Sequence, residues 1–447
     1  MPHTQTNITK GIYAMLFQKI AALACTLTLM LSPAPNFVCS AAAAAADTPP
    51  TETVESTEKT SDDFLTNAAE LNSTTAYHTD DGTAQFLMNG RQFYQGLVFS
   101  TNSSYQTAYA QYLVEDISTI SFTIGHIDNS ALRNATLQIY LDEKLEDEVA
   151  LNALMNLKDY TLDVSEASVL QFTIYESNAY STSLQYGLGD FKVDDSAPKY
   201  QSEPVPFTYP EMFIRYDFNS SGRTRYDGES DLEGFNMNGR TFHQGLVFST
   251  DYSEKAAYTQ HNVESLMNIS FTIGHIDNSA LRNATLQIYL DGKLEDEVAL
   301  TPMMNLKNYT LNVSKAKVLR FYVYETDNYT GSLQYALADF HVNASDPLFP
   351  NEIPSYHSAE QFIKSSFNSS GRTRYDGESD LQGFDMNGRT FYQGLVFSTD
   401  YSQKAAYTQY NVEKVDSLSF TIGHVDNSAL RKATLQIYLD GKLDDEI

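Results

Sequence analysis

Apolar and polar residues alternate in short runs along residues 217–347. Leu286, Ile288 and Leu290 alternate with Gln287 and Tyr289 up to Asp291-Gly292. That is the period-two pattern of a half-buried strand ending in a hairpin turn. Ile269, Phe271 and Ile273 alternate with Ser270 and Thr272, predicting a second strand that stops at Gly274. Further strands are predicted at 246–249, 297–300, 309–313, 318–324 and 333–342, and no apolar helical period is sustained over three turns. Six to eight short strands joined by polar turns predict an all-β unit, a β-sandwich or jelly roll.

The pattern repeats. Residues 122–142 (FTIGHIDNSALRNATLQIYLD) return at 271–291 and again at 420–440, 149 residues apart each time. Met88-Asn89-Gly90-Arg91 returns at Met237 and Met386 with the same spacing. A period this long excludes a solenoid, whose units are about 20 to 50 residues, and each unit is large enough to close its own core. The expected layout is a module at 68–198, a second at 217–347 and a third at 366–447, joined by linkers at 47–67, 199–216 and 348–365. Prolines 204, 206, 210, 350 and 354 favour extended spacers in the last two linkers. The second and third copies differ at 15 of 82 shared positions, with volume-conserving core swaps such as Ile269 to Leu418, so they should share one fold. Asp142-Glu143 replaces Asp291-Gly292 in the first copy and is expected to turn differently. Ile447 aligns with Val298, so residues 299–342 have no counterpart in the third copy, which is expected to be truncated in a fragment of a longer product.

Residues 1–46 carry Lys10 and Lys19, no Asp or Glu, an apolar stretch at 20–31 and an alanine run at 41–46. This is the order of a secretory signal peptide, cleaved near 42–46 and with Met15 as an alternative start. The apolar stretch is short of the roughly 20 residues that a membrane-spanning helix needs. Both cysteines, Cys25 and Cys39, fall in this leader, so the mature chain is expected to hold no disulfide and no thiolate metal site. Secretion without cystines points to a bacterial source, with the product extracellular or on the cell surface.

The formal net charge is −28. Nucleic acid and anionic lipid are poor partners for such a surface, because affinity for them comes from Lys and Arg displacing counterions. A neutral ligand or divalent cations fit better, and no cofactor is expected.

His275, Asp277, Asn278 and Ser279 recur as His126, Asp128 and Ser130, and as His424, Asp426 and Ser428. Five consecutive residues do not bring a hydroxyl, an imidazole and a carboxylate together for nucleophilic catalysis. One His and one carboxylate fall short of a zinc site. These residues are either a turn whose Asp and Asn bond backbone or hydrogen-bonding groups for a sugar. Arg240, with Arg91 and Arg389 at the same place in the other copies, either pairs with the acidic surface or faces a ligand. Asp227, Glu229, Asp231 and Glu233 form an acidic cluster of the kind calcium favours, and otherwise a solvated loop. Tyr258 and Tyr407 lie in polar stretches where a ring could stack on a sugar face, or be buried with its hydroxyl at the surface.

Gly245, Tyr258, the run at 271–277, the run at 286–293 ending in Asp291-Gly292-Lys293, then Val313, Leu319 and Ala338-Asp339 resemble NPCBM-type modules, "novel putative carbohydrate-binding modules". The resemblance covers most of each module, and its most specific part is the G-x-x-D strand end paired with a strand ending in D-G-K. It implies a galactose-binding-like jelly roll of the sort attached to secreted bacterial glycoside hydrolases, some recognising terminal galactosides. It also implies a site among the loops at one end of the sandwich, with His275, Asp277 and Arg240 as leading polar groups. The expectation is a secreted, non-catalytic glycan-binding protein whose tandem modules gain avidity. The alternatives are adhesive or spacer repeats of a bacterial surface protein, or the accessory region of a glycoside hydrolase whose catalytic domain lies beyond residue 447.

Overall fold

A computed structural model describes residues 60–176, 181–229, 233–326, 331–378 and 382–447; the expected signal peptide lies outside them. The period-two patterns become antiparallel strands, and the fold is a tandem of β-sandwiches. In the second copy one five-stranded sheet runs Asp217–Ser221, Ala256–Asn262, Val318–Tyr324, Ala284–Leu290, Lys293–Leu300. The facing sheet runs Arg223–Asp227, Gln244–Thr250, Leu333–Val342, Asn268–His275, Lys307–Asn312. The first copy has the same two sheets in the same order. Alternation sends Leu286, Ile288, Leu319, Phe321, Ile269, Phe271 and Phe340 into one core. Phe271 meets the edge of Phe321 at a centroid distance of 5.2 Å, a favourable arrangement for two ring quadrupoles. Among the described residues no helix is long and apolar enough to cross a membrane.

The third copy keeps several strand pairs, including Arg372–Asp376 with Gln393–Phe397. Leu418, Phe420 and Ile422, aligned with the buried Ile269, Phe271 and Ile273, are 54%, 57% and 49% exposed. In the second copy these side chains are covered by partners from 299–342, which have no equivalent up to Ile447.

Three expectations are corrected. The second and third linkers are not extended throughout, although Glu203–Pro204 is a short strand paired with Gln92 and Arg91. Pro210–Arg215 is a short helix, with Pro at its first turn, and it plants Phe213 and Ile214 in the second core beside Val205 and Phe207. Ser61–Thr66 and Ala359–Lys364 are equivalent helices, the first closed by a capping box between Thr60 and Asp63. Each has only six residues, too few for a helical period to register; the signal was a pair of adjacent apolar residues.

The turn at Asp142-Glu143 does not differ from that at Asp291-Gly292. Its φ values are 46° and 68° against 48° and 78°, and Leu141 pairs with Lys144 just as Leu290 pairs with Lys293. Strand register on both sides holds the two-residue connection in one shape, so Glu143 adopts the left-handed conformation that glycine favours.

The modules are also not joined by linkers alone, since they contact one another directly. Asn262 donates its side-chain amide to Asn89 O at 2.9 Å, and Asn411 donates to Asn238 O at 3.0 Å. Arg91 pairs with Glu264 at 2.6 Å, and Arg240 Nε with Glu413 Oε1 at 2.9 Å. One junction is used twice, with the same contacts shifted by one repeat.

Candidate functional site

The histidines at the strand ends face inward. His126 and His275 are buried, and Nε2 of each lies 3.0 Å from a serine Oγ, Ser130 or Ser279, and 3.0 Å from a carbonyl, Ala131 or Ala280. Their rings meet Tyr186 and Tyr335 edge-on at 5.2 and 5.0 Å. Burial lowers both pKa values below the ordinary imidazole range, so they are neutral core groups at pH 7. His424 makes the same two contacts, 3.1 Å from Ser428 Oγ and 3.2 Å from Ala429 O, on the more open third copy.

The aspartates next to them staple a neighbouring turn. Asp128 Oδ2 accepts from Gly90 N at 2.9 Å, Asp277 Oδ2 from Gly239 N at 2.9 Å, and Asp426 from Asn387 N and Gly388 N at 2.9 and 2.8 Å. Burial pushes Asp128 up to about 8 and Asp277 up to about 6, although the backbone N–H groups pull the other way. Asn278 takes φ 63° and donates its backbone N–H to Asn368 Oδ1 of the next module at 3.4 Å. Arg91 and Arg240 are spent on the junctions. Arg389 is exposed, its guanidinium 5.7 Å from the centre of the Phe391 ring. The expectation that His275, Asp277 and Arg240 converge on a ligand is therefore corrected: one lies in the core, one holds a turn and one clasps the next module.

The acidic loop is also engaged. Asp227 is buried and pairs with Arg215 at 3.3 Å, and Glu229 pairs with the same arginine at 2.5 Å. Asp231 lies outside the described residues. A calcium ion would have to displace the Arg215 guanidinium. Among the described residues no three metal-ligating side chains cluster.

Tyr258 has different surroundings. The outward positions of three adjacent strands form a grid, because Tyr258 pairs in register with Tyr322 and Tyr322 with Gln287. In the next row Gln260 pairs with Arg320 and Arg320 with Tyr289, and Tyr324 stands at the end of the central strand. Tyr258, Tyr289, Tyr322, Tyr324 and Arg320 are all half-buried, and the rings of Tyr322 and Tyr324 lie 5.7 Å apart. The guanidinium of Arg320 sits 5.5 Å from the centre of the Tyr289 ring. Burial pulls its pKa down against the three phenols around it; its Nη2 donates to the Leu154 carbonyl of the first module at 3.4 Å, and its Nε is buried without a partner. Tyr289 donates to Gln287 at 2.7 Å, and Gln287 donates to Glu297 at 2.7 Å. The patch thus combines ring faces, a partly desolvated cation that touches the first module, and a fixed amide network.

The first copy carries Gln171 and Thr173 where Arg320 and Tyr322 stand, keeping Tyr109, Tyr140 and Tyr175. The third has Tyr407, half-buried with an unpartnered hydroxyl, and Tyr438. Sequence reading singled out Tyr258 and Tyr407 and missed Arg320, Tyr322, Tyr324 and Tyr289. The signal was available: they occupy the outward phase of the strands whose inward phase marked the core. A second feature is an open concavity of about 570 Å³ on the first module, lined by His78, Gln85, Gln92, Asp128, Gln185 and Tyr216.

The family GATA-N, described as GATA-type transcription activator, N-terminal, matches residues 30–140. Residue 140 falls inside the strand Ala135–Leu141, so this match cuts through the first sandwich. No curated protein matches the chain. Similar solved structures include the M60 catalytic domain with the CBM51-1 and CBM51-2 domains of ZmpB from Clostridium perfringens, at 12% identity over 60% of this chain and 37% of that one, with a TM-score of 0.22. The tandem CBM51 modules of the family 98 glycoside hydrolase from Streptococcus pneumoniae are 9% identical over 64% of this chain and 99% of that one, with a TM-score of 0.23. CBM51 from a Clostridium perfringens GH95 protein in complex with methyl-galactose is 12% identical over 30% of this chain and 99% of that one, with a TM-score of 0.26. The chain spans 37% of the length of the first of these structures.

Proposed function

We propose that this is a secreted, non-catalytic carbohydrate-binding protein whose modules, at 68–198, 217–347 and 366–447, carry glycan-binding faces. The observation that carries the reading is the cluster of Tyr258, Tyr322 and Tyr289 around Arg320 in two adjacent rows on the outward face of the second module's sheet, beside the first module. A pyranose presents an apolar face that stacks on an aromatic ring, and hydroxyls that take donors from a guanidinium or an amide. The chain has 30 tyrosines, 25 phenylalanines and no tryptophan, so the rings of such a platform come from tyrosine or phenylalanine. Glu295, Asp296 and Glu297 on the adjoining strand disfavour an anionic sugar, which leaves a neutral glycan, with galactosides the first class to try.

The test is a glycan array followed by calorimetry on the whole chain and on its Arg320→Ala and Tyr322→Ala variants. Loss of a hydrogen bond to a charged group costs about 1.5 to 3 kcal/mol, so Arg320→Ala should bind more than tenfold more weakly, and Tyr322→Ala should bind more weakly through the lost ring face. Unchanged binding in both would remove this face as the site.

The alternative is an adhesive or spacer array, which the repeated junction between modules favours. A blank glycan array with an intact fold would select it.

A further inference from the structure

The junction has two sides. One is the Asn-Gly-Arg turn of the leading module, seen at Asn89-Gly90-Arg91 and Asn238-Gly239-Arg240. The other is an edge of the following module, Phe218, Asn219, Asn262 and Glu264, repeated as Phe367, Asn368, Asn411 and Glu413. A Cβ built on Gly90 would lie 2.8 Å from Asn262 Cβ and 3.5 Å from the Phe218 ring; on Gly239 it would lie 3.0 Å from Asn411 Cβ and 3.2 Å from the Phe367 ring. The glycines let the following edge sit directly against the turn.

The third module carries the same turn. Asn387 and Gly388 have φ values of 51° and 69°, against 50° and 67° in the first module and 50° and 72° in the second. Asp426 holds it by two backbone bonds. Here, however, a Cβ on Gly388 would meet nothing within 4 Å, and among the described residues no carboxylate pairs with Arg389. The turn is shaped as in the occupied junctions and lies open.

The first module shows the converse. At the edge positions it has Ala69, Glu70 and Leu113 where the later modules have Phe, Asn and Asn, with only Glu115 kept. Leu113 is 61% exposed and carries no amide to reach a carbonyl.

We infer that the Asn387-Gly388-Arg389 turn is a docking surface for a further module of this same repeat, one whose edge presents Phe-Asn and Asn-Val-Glu. The amide of its Asn would bond Asn387 O, and its Glu would pair with Arg389. A second copy of this chain is not that partner, because its edges on modules two and three are already engaged and its first edge lacks the groups.

The test gives the first module the missing edge. In the whole chain, Ala69→Phe, Glu70→Asn and Leu113→Asn together change three exposed positions. Sedimentation velocity should then show concentration-dependent head-to-tail association, with weight-average mass rising to at least twice the monomer, while the unaltered chain stays monomeric. Adding Arg389→Glu should abolish the association, and adding Glu115→Arg to that should restore it. A triple variant that stays monomeric, association that survives Arg389→Glu, or an unaltered chain that associates equally would each overturn the proposal.

Discussion

Asn262 donates its side-chain amide to the carbonyl of Asn89, 173 residues earlier in the chain, at 2.9 Å, and Asn411 repeats this toward Asn238 across the same 173 residues. Beside each bond an arginine of the leading module meets a glutamate of the following one. Partly buried charge pairs and amide bonds of this kind fix orientation more than they add stability. Consecutive modules therefore meet in a defined register, which sets the spacing of whatever faces they carry.

The junction predicts different outcomes for one substitution at two equivalent glycines. Gly90→Ala and Gly388→Ala both put a Cβ on a left-handed residue, at a cost of about 1 kcal/mol. Only at Gly90 does that Cβ strike a neighbouring module. Gly90→Ala should free the first junction, seen as faster tryptic cleavage at Lys199 and a larger maximum dimension in solution scattering. Gly388→Ala should leave both unchanged.

The shared hairpin turn predicts a stabilising change. Glu143 holds φ 68° without being glycine. Glu143→Gly should raise the stability of the first module by about 0.5 to 1 kcal/mol, the relief of the left-handed conformation exceeding the entropy lost by glycine. Gly292→Ala should lower that of the second by a similar amount. Denaturant midpoints measure both.

Stability should fall with rising pH on account of the turn-holding aspartates. An unfolded aspartate titrates near pH 3.9, whereas burial pushes Asp128 up to about 8 and Asp277 up to about 6. Between those values the folded state keeps a proton that the unfolded state has released, so stability present below pH 4 is lost as pH rises, over a window ending near 8 for Asp128 and near 6 for Asp277. Melting temperatures from pH 5 to 8 should show the decline, and Asp128→Asn should flatten its upper part. A profile that Asp128→Asn leaves unaltered would show that the carboxylate stays charged.

The short helix before the second module predicts where that module begins. A piece spanning 203–347 keeps Val205, Phe207, Phe213 and Ile214 in the core, and one starting at 217 loses them. Burying a large apolar side chain contributes about 1.5 to 3 kcal/mol, so losing the two fully buried ones removes about 3 to 6 kcal/mol, much of a domain's net stability. The longer piece should melt cooperatively and the shorter only weakly if at all. Residues 366–447 alone, with Leu418, Phe420 and Ile422 open, should show no sharp transition.

The chain by itself determined the architecture that depends on local periodicity. Alternation along 269–273 and 286–290 marked strands whose inward residues are the observed core, and the 149-residue repeat marked the tandem. Such patterns survive because one face of a sheet must be buried wherever the strand lies. Tertiary structure decided what depends on which groups meet. Asp277 and Arg240 read either as ligand groups or as a turn residue and a surface ion pair until the fold placed Gly239 against one and Glu413 against the other. Glu143 turned like glycine because two paired strands left it no other path. Phe213 and Ile214 became core only when a six-residue helix met the end of a sandwich. Tyr258, Tyr322 and Tyr289 lie on three strands separated by loops of different length, and only hydrogen-bonded register brings them into two adjacent rows of one face. A side chain's alternation is written along its own strand, but its partners come from strands that the chain reaches many residues later.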